Sequence, residues 1–167
     1  MEQLTARNIV AAITALAIII VVGLGFVIRG GVNAQAQAND LVTIAQGLQA
    51  EYANQSYVYP VILPSAVLIN SGKVDPTIVN GTAIDSRWQT AITLAGVAAG
   101  GFTTALTAIP YNACTELLTD QSLSQYATSF IVDSGTAAPV PITPSVAATA
   151  CTATGTHSIT IAFAGHP

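Results

Sequence analysis

The sequence predicts an α+β fold, in which one long N-terminal helix packs on an antiparallel β-sheet of about four strands. Two observations predict the helix: residues 9–28 form an uncharged apolar run, and helical spacing of apolar residues continues to about residue 54. A third predicts the sheet, since segments rich in Thr and Ile alternate between polar and apolar residues in the second half of the chain. We therefore expect a helix over residues 1–54 and a globular head over residues 55–167.

Residues 1–28 are the most hydrophobic part of the chain and predict a membrane-spanning helix. The run from Ile9 to Ile28 contains no charge and one hydroxyl, that of Thr14. A helix of this length is about 30 Å long, enough to cross the hydrocarbon core of a bilayer. Arg7 and the small residues of Ala34-Gln35-Ala36 would also suit a secretory signal peptide, whose apolar region is usually only about 7–15 residues long. Two further interpretations stay open: a simple anchor, and a helix that lies first in a membrane and later in a protein assembly.

Residues 29–54 predict an amphipathic continuation of the same helix. Leu41, Ile44, Leu48 and Tyr52 recur at steps of three and four residues and form one apolar stripe, opposite a face of Gln, Asn and Ala. A single helix of about forty-five residues would be about 70 Å long, more than a small domain needs. We therefore expect its hydrophobic half to protrude from the head.

The remaining elements of the head are predicted from turn residues and residue spacing. Residues 56–88 contain three prolines and predict a long connecting loop, with one short helical turn near residues 66–70. The Pro- and Ala-rich residues 136–150 predict a second loop. The other predicted elements are a β-hairpin over 88–96 and 101–110 with a Gly100-Gly101 turn, a helix over 112–127, and strands over 128–135 and 157–165.

The charge balance excludes some classes of function. Charged residues are 7% of the chain and the net charge is −4, whereas about a quarter of the residues of a typical soluble protein are charged. The basic residues Arg7, Arg29, Lys73 and Arg87 form no patch that could neutralise phosphates, so we expect no nucleic-acid binding. A surface of neutral hydroxyls and amides lacks the repulsion that keeps monomers apart. It suits a subunit that packs against copies of itself.

No motif in the sequence predicts an enzyme. His157 and His166 have no acid or cysteine at the spacing of a metal site or a catalytic triad. Asp133-Ser134-Gly135 is typical of a turn rather than of a nucleophile site. We therefore expect no catalytic residue, no cofactor and no metal.

Aromatic residues are few and are assigned to packing. Trp88 is the single tryptophan, and a core position is expected, with a surface-adhesive role as the alternative. Tyr52, Tyr57 and Tyr59 cluster where the predicted helix meets the loop. We expect them to hold that loop on the helix, although exposed tyrosines could also serve contacts between subunits.

Cys114 and Cys151 favour a disulfide. Their number is even, and an anchored chain exports its C-terminal part to an oxidising space. A metal or reactive-thiol site would need a CxxC pair or a nearby His, and the sequence contains neither. In the chain-entropy description, closing a loop of this size stabilises a fold by about 4 kcal/mol.

Taken together, these features resemble the type IVb pilins, the class that includes the toxin-coregulated pilin and the major pilins of conjugative plasmids. The resemblance rests on the hydrophobic N-terminal helix, on its continuation "TIAQGLQAEY" and on "GKVDPTIVNGTAIDSRWQTAITL". The strongest part is "FTTALTAIPYNACTELLT", which is followed by Cys151 and the final strand "HSITIAFAG". The similarity covers nearly the whole chain, and it rests on the order of these segments rather than on one specific motif.

The resemblance implies a pilin fold and the function of a major structural subunit of an extracellular type IVb pilus. Residues 1–28 would anchor the subunit in the inner membrane and then pack with other copies in the filament core, and residues 29–54 would form the amphipathic half of the helix. Residues 114–151 would form a disulfide-closed region that shapes the outer filament surface. The implied partners are further copies in a helical filament, the pilus assembly machinery and a prepilin peptidase. The alternative is a membrane-anchored minor pilin, adhesin or other extracytoplasmic binding domain that does not polymerise.

The N-terminus departs from the pattern of the family. Members usually carry Glu at position 5, whereas this chain has Thr5 and a nearby acid at Glu2. A charge beside an apolar bundle is costly unless it is paired. We therefore expect Glu2 to reach a cation, either the Met1 amine of a neighbouring subunit or Arg7, unless it stays solvated. The expected assembly residues are Met1, Glu2, Arg7, Ile9, Ile13, Leu16, Ile20, Leu24 and Ile28.

Overall fold

The computed structural model describes residues 33–53, 58–97, 100–152 and 155–165. The expected membrane segment 1–28, with all of the expected assembly residues, lies outside these described residues, so these assignments stay predictions. Within the described ranges, no helix has the length and apolar character needed to cross a bilayer.

Helix α1 covers residues 33–52 of the described chain and buries one face in the hydrophobic core. The predicted apolar stripe is confirmed: Leu41 and Ile44 are fully buried, and Leu48 and Tyr52 are at most 6% exposed. Buried alanines complete the same face, and small side chains let a helix approach its neighbours closely. The other side of α1 is only partly exposed, since Gln37 and Asp40 are also buried.

The loop after α1 contains more structure than the sequence indicates. The expected helical turn is present as α2 (Ser65–Asn70). A 3₁₀ turn (Pro76–Ile78) follows, and then a two-stranded antiparallel hairpin of β1 (Val79–Asn80) and β2 (Ala83–Ile84). Two-residue strands are too short to show an alternating pattern, so only a loop was predicted here.

The main sheet has five antiparallel strands, four of which were predicted. They are β3 (Thr93–Val97), β4 (Gly101–Pro110), β5 (Ala127–Val132), β6 (Ala138–Pro139) and β7 (Thr156–Ala164). Their order across the sheet is β3-β4-β7-β5-β6, so the C-terminal strand is central. Alternate residues of β7, namely His157, Ile159, Ile161 and Phe163, are buried on the core face. The fifth strand, β6, is a two-residue edge strand within a segment predicted as loop.

Helices on the core side differ from prediction in two places. The predicted helix over 112–127 is divided into α3 (Tyr111–Thr119) and α4 (Gln121–Ser124). Asp120 separates them because its backbone is extended and its carboxylate accepts a hydrogen bond from the N–H of Leu123. The prediction of loop throughout 136–150 was wrong, since this segment also contains α5 (Pro144–Ala150). Proline is well suited to the first turn of a helix, where no N–H is needed, so Pro144 begins α5 instead of preventing a helix.

Candidate functional site

Arg87 attaches the loop before β3 to helix α1. Its Nε donates to Oδ2 of Asp40 at 2.6 Å and its Nη2 donates to Oδ1 at 2.8 Å. Its backbone N–H donates to Oε1 of Gln37 at 2.7 Å. Asp40 is only 7% exposed, so the carboxylate and the guanidinium neutralise each other largely out of water. The contact fixes the position of the loop along the helix.

Asp75 extends this ion pair on its exposed side. Its Oδ2 accepts a hydrogen bond from Nη2 of Arg87 at 3.0 Å, and its Oδ1 accepts from the N–H and the hydroxyl of Thr77. The Thr77 hydrogen bonds, with Arg87 adding a smaller effect, hold the pKa of Asp75 below its usual value. Hydrogen bonding to Asp40 raises the pKa of Arg87 above its usual value. Asp75 and Arg87 are therefore both stabilised in their ionised forms.

Three glutamines on the polar face of α1 connect the helix to distant segments. Gln35 donates to Asp120 at 3.1 Å, Gln46 donates to the hydroxyl of Tyr126 at 2.7 Å, and Gln49 donates to the carbonyl of Ala164 at 3.1 Å. Helical spacing predicts this face of Gln, Asn and Ala but not its partners, because the spacing separates apolar from polar positions and does not identify polar contacts.

The predicted cysteine pair is joined by a disulfide. Cys114 of α3 and Cys151, which directly follows α5, have Cα atoms 6.0 Å apart and a sequence separation of 37. Both residues are fully buried, and α3 packs against α5. The bond therefore holds the C-terminal end of α5 against the core.

His157 links three segments near the start of β7. Its Nδ1 lies 2.6 Å from Oδ2 of Asp133, and its Nε2 lies 3.1 Å from the carbonyl oxygen of Thr152. The other oxygen of Asp133 accepts from the N–H of Ser158 at 2.7 Å. The hydrogen bond to His157, followed by that from Ser158, lowers the pKa of Asp133. These contacts fasten the turn after β5 and the segment after the disulfide to the central strand.

Local residue spacing does not predict this pair, because 24 residues separate Asp133 from His157. Only the antiparallel pairing of β5 with β7 brings them together. The expected turn at Asp133-Ser134-Gly135 is present. The residues that the structure describes contain no group of three or more His, Cys, Asp or Glu side chains that could hold a metal ion. His166 lies outside the described residues.

A row of aromatic rings connects α1 to the sheet through the loop. Ring centroids are 5.1 Å apart for Tyr52 and Tyr59, 5.2 Å for Tyr59 and Phe102, and 5.0 Å for Phe102 and Phe163. The hydroxyl of Tyr59 also donates to the carbonyl of Gly165 at 2.8 Å. The expectation that Tyr52 and Tyr59 hold the loop on the helix is confirmed.

Two other aromatic predictions have different outcomes. Tyr57, which was expected to act with Tyr52 and Tyr59, lies outside the described residues. Trp88 is partly buried against the core, which agrees with the packing role expected for it.

The loop segment 58–62, apart from the buried Tyr59, presents exposed apolar side chains at the β3 edge of the sheet. Val58, Val61 and Ile62 are 68%, 80% and 80% exposed. The segment is held in place because the N–H of Gly96 donates to the carbonyl of Pro60 at 3.1 Å and Leu63 donates to Leu94 at 3.3 Å. We call residues 58–62 the edge segment.

Glycine at position 96 permits this close approach. A Cβ at Gly96 would lie 2.5 Å from the carbonyl oxygen of Pro60 and 2.6 Å from that of Tyr59, closer than real side chains come. The backbone of the edge segment therefore lies directly on β3, and its side chains project from a fixed support.

An apolar pocket opens at the opposite edge of the sheet, next to the disulfide. Its volume is about 240 Å³. The lining comes from α3, β5, β6, α5 and the segments between them, and it includes no charged residue. We call it the edge pocket; the large apolar side chains in its wall are Leu118, Phe130, Val132, Ile142 and Val146. Val146 is 47% exposed, so the pocket reaches the surface.

Both the sequence and the fold of the chain are similar to those of known proteins. A family model described as PilS N terminal matches residues 32–164. The crystal structure of the type IVb pilin from Salmonella typhi is similar, with a TM-score of 0.54 and 18% identity over 78% of this chain and 99% of that chain. The structure of TcpA, a type IV pilin from the El Tor biotype of Vibrio cholerae, gives a TM-score of 0.54 and 14% identity over 78% of this chain and 98% of that chain. No curated protein sequence shows significant similarity. The long helix, the antiparallel sheet and the family match together show that the chain belongs to the PilS N-terminal family and has the fold of a type IVb pilin.

Proposed function

We propose that the chain is a major structural subunit of an extracellular type IVb pilus and polymerises through its hydrophobic N-terminal helix. One observation carries the proposal: the uncharged run of residues 9–28 lies a few residues before the α1 helix of a pilin fold. A segment of that length and hydrophobicity needs an apolar environment. A bilayer supplies it before assembly, and a bundle of identical helices supplies it afterwards.

The chain divides by role under this proposal. Residues 1–28 serve as membrane anchor and then as filament core, and residues 29–54 connect the core to the head. Residues 55–167 form the head, in which the disulfide-closed region 114–151 faces outward. The partners are other copies of the chain, the inner membrane before assembly, the assembly machinery and a prepilin peptidase.

The role is structural rather than enzymatic. The polar groups described above are used in holding the loop, α1 and the sheet together, and the low charge of the chain suits close packing of copies. A minor pilin or adhesin would share the fold but would not form the body of a filament.

Electron microscopy of surface material sheared from producing cells tests the proposal. We expect filaments that an antibody against the head labels along their whole length, and in which this chain is the main protein. A deletion of residues 9–28 serves as the control and should abolish them. Labelling restricted to filament tips, or the chain remaining in the membrane of cells with an intact assembly system, would contradict the role of major subunit.

A further inference from the structure

The turn between β1 and β2 places an asparagine directly before a glycine at the surface of the head. Asn80 is the last residue of β1, and Gly81 begins the turn with a φ of 62°. Both residues are exposed, and a Cβ built at Gly81 would meet no atom within 4 Å. Among the described residues, no hydrogen bond engages the N–H of Gly81. The backbone nitrogen that follows the Asn80 side chain is therefore open to solvent and unhindered.

This arrangement contains the groups required for deamidation, a reaction between a side-chain amide and the following backbone nitrogen. The nitrogen of Gly81 attacks Cγ of Asn80 and gives up its proton, while the Cγ–Nδ2 bond breaks and the leaving nitrogen takes up a proton and departs as ammonia. The product is a cyclic imide, and water then adds to one of its carbonyls and opens the ring to aspartate or isoaspartate. The reaction consumes only water. Glycine favours it because no Cβ crowds the attacking nitrogen.

Asp85 restrains the amide that has to react. Nδ2 of Asn80 donates to Oδ2 of Asp85 at 2.9 Å. Asn80 is also paired with Ala83 across the hairpin, and the side chain of a strand residue projects out of the pleat, away from the following nitrogen. Ring closure therefore requires this end of the hairpin to open. Because each strand has only two residues, such opening costs less than unfolding of the whole head.

We propose that Asn80 is a site of spontaneous deamidation in the folded head and that Asp85 limits the rate by holding the amide. Asn80-Gly81 is the only Asn-Gly pair of the sequence, and every other asparagine precedes a residue with a Cβ. The site lies outside the N-terminal helix that carries assembly in the proposed function. The inference therefore goes beyond that function and does not depend on it.

Deamidation changes the charge of the hairpin as well as its covalent structure. The new carboxylate replaces the Nδ2 donor at hydrogen-bond distance from Asp85, so an attraction becomes a repulsion between like charges. Arg87, two residues after Asp85, is already paired with two other carboxylates. Isoaspartate also adds a carbon to the main chain and disturbs the pairing of position 80 with Ala83. Each modified head therefore carries one more negative charge and a loosened hairpin.

Peptide mapping of the full-length chain tests the proposal. Trypsin cuts after Lys73 and Arg87, and the resulting peptide 74–87 contains no side-chain amide other than that of Asn80. The chain is incubated in detergent at mildly alkaline pH, and the peptide is followed by chromatography and mass spectrometry against a sample digested at the start. We expect its aspartate and isoaspartate forms to accumulate, with no comparable conversion at Asn70, which precedes Ser71. A peptide 74–87 that stays unmodified would overturn the proposal.

Substitution of Asp85 tests its restraining role. Asp85→Ala should raise the rate of deamidation at Asn80 about tenfold, because one hydrogen bond to a charged group no longer has to be broken. The matched control Thr82→Ala changes an exposed residue of the same turn and should keep the wild-type rate. Both variants should keep the wild-type circular dichroism spectrum, which excludes unfolding as the cause. A wild-type rate in folded Asp85→Ala would show that Asp85 does not limit the reaction.

Fixed substitutions at position 80 measure the effect of the new charge. Asn80→Asp imitates one product, and we expect faster amide hydrogen exchange over residues 77–86 than in wild type at neutral pH. Asn80→Ser also removes the amide but adds no charge, so its exchange should be closer to wild type. Equal exchange in the two variants would contradict the repulsion between positions 80 and 85.

Discussion

Arg87 and Asp40, which are 47 residues apart in sequence, are joined by two parallel hydrogen bonds of 2.6 and 2.8 Å. This paired geometry uses the planar guanidinium, which a lysine cannot imitate. The contact determines where the loop after α1 lies on the helix, and the edge segment belongs to the same loop. Helix, loop and exposed surface are thus positioned by one ion pair and by the aromatic row.

Removing the cation should destabilise the head. Arg87→Ala leaves the Asp40 carboxylate, 7% exposed, without a counter-charge, so we expect a loss of about 3 kcal/mol in the free energy of unfolding. Arg87→Lys should lose less, because it keeps the charge but only one hydrogen bond. Urea unfolding of the full chain in detergent measures both. An unchanged urea midpoint for Arg87→Ala would contradict the role assigned to Arg87. The double variant Arg87→Ala/Asp40→Asn should lose less unfolding free energy than the sum of the losses of the two single variants.

Removing the disulfide should lower subunit levels before assembly is affected. The bond closes a loop with a sequence separation of 37, which corresponds to about 4 kcal/mol in the chain-entropy description. Cys114→Ala with Cys151→Ala should therefore reduce the amount of folded subunit in cells, measured by immunoblot. Thr115→Ala, on the same helix, serves as the control. Mass spectrometry of the wild-type protein under non-reducing conditions should find no free thiol.

Acid should weaken the attachment of the β5 turn. The pKa of Asp133 is lowered in the folded state, so its contribution to stability is fully present above the ordinary Asp pKa of about 3.9 and is lost as the pH falls through the lower folded value. Asp133→Asn should therefore remove part of the stability loss seen between neutral pH and about pH 3. Urea midpoints across this range measure it, with Glu116→Gln on exposed α3 surface as the control. An identical pH dependence of stability in Asp133→Asn and wild type would show that the Asp133–His157 pair does not contribute to stability.

Deletion of residues 1–28 should give a soluble monomeric α+β head. The reason is that each large apolar side chain of that segment contributes about 1.5–3 kcal/mol when it is removed from water, so assembly energy is concentrated there. Light scattering and circular dichroism measure size and folding. Filaments formed by the truncated chain would show instead that contacts between heads suffice for assembly.

Glu2→Gln should impair filament formation and leave the head folded. We propose that Glu2 pairs with the Met1 amine of a neighbouring subunit or with Arg7, and breaking a buried pair by removing one partner costs about 3–5 kcal/mol. Filament yield and subunit level in the same cells separate assembly from folding. A normal yield, or a filament map with Glu2 in open solvent, would favour a solvated terminus.

The fold was predictable where a pattern repeats over several residues. The stripe from Leu41 to Tyr52 and the alternation in β7 both continue long enough to fix the buried face. The disulfide was predictable because there are only two cysteines. The hairpin of β1 and β2 was not predicted because its strands have two residues each. Helix α5 was not predicted because a proline at the start of a helix resembles, in sequence, a proline that ends one.

The polar contacts were beyond prediction for a different reason. Arg87 contacts Asp40, and His157 contacts Asp133, only after the chain has folded back on itself. Their partners depend on strand register and on the course of the loop, which no local spacing encodes. The edge segment and edge pocket were missed likewise, since exposure is a property of the folded surface.

The sheet of the head cannot be completed before β7 has been synthesised, because β7 lies between β4 and β5. Neither β4 nor β5 can complete its hydrogen bonds until Thr156–Ala164 has been inserted between them. A chain synthesised only as far as Cys151 therefore contains both cysteines of the disulfide but has no finished sheet. A chain that lacks residues 156–164 has lost the middle of its sheet, so the head can fold only when this segment is present.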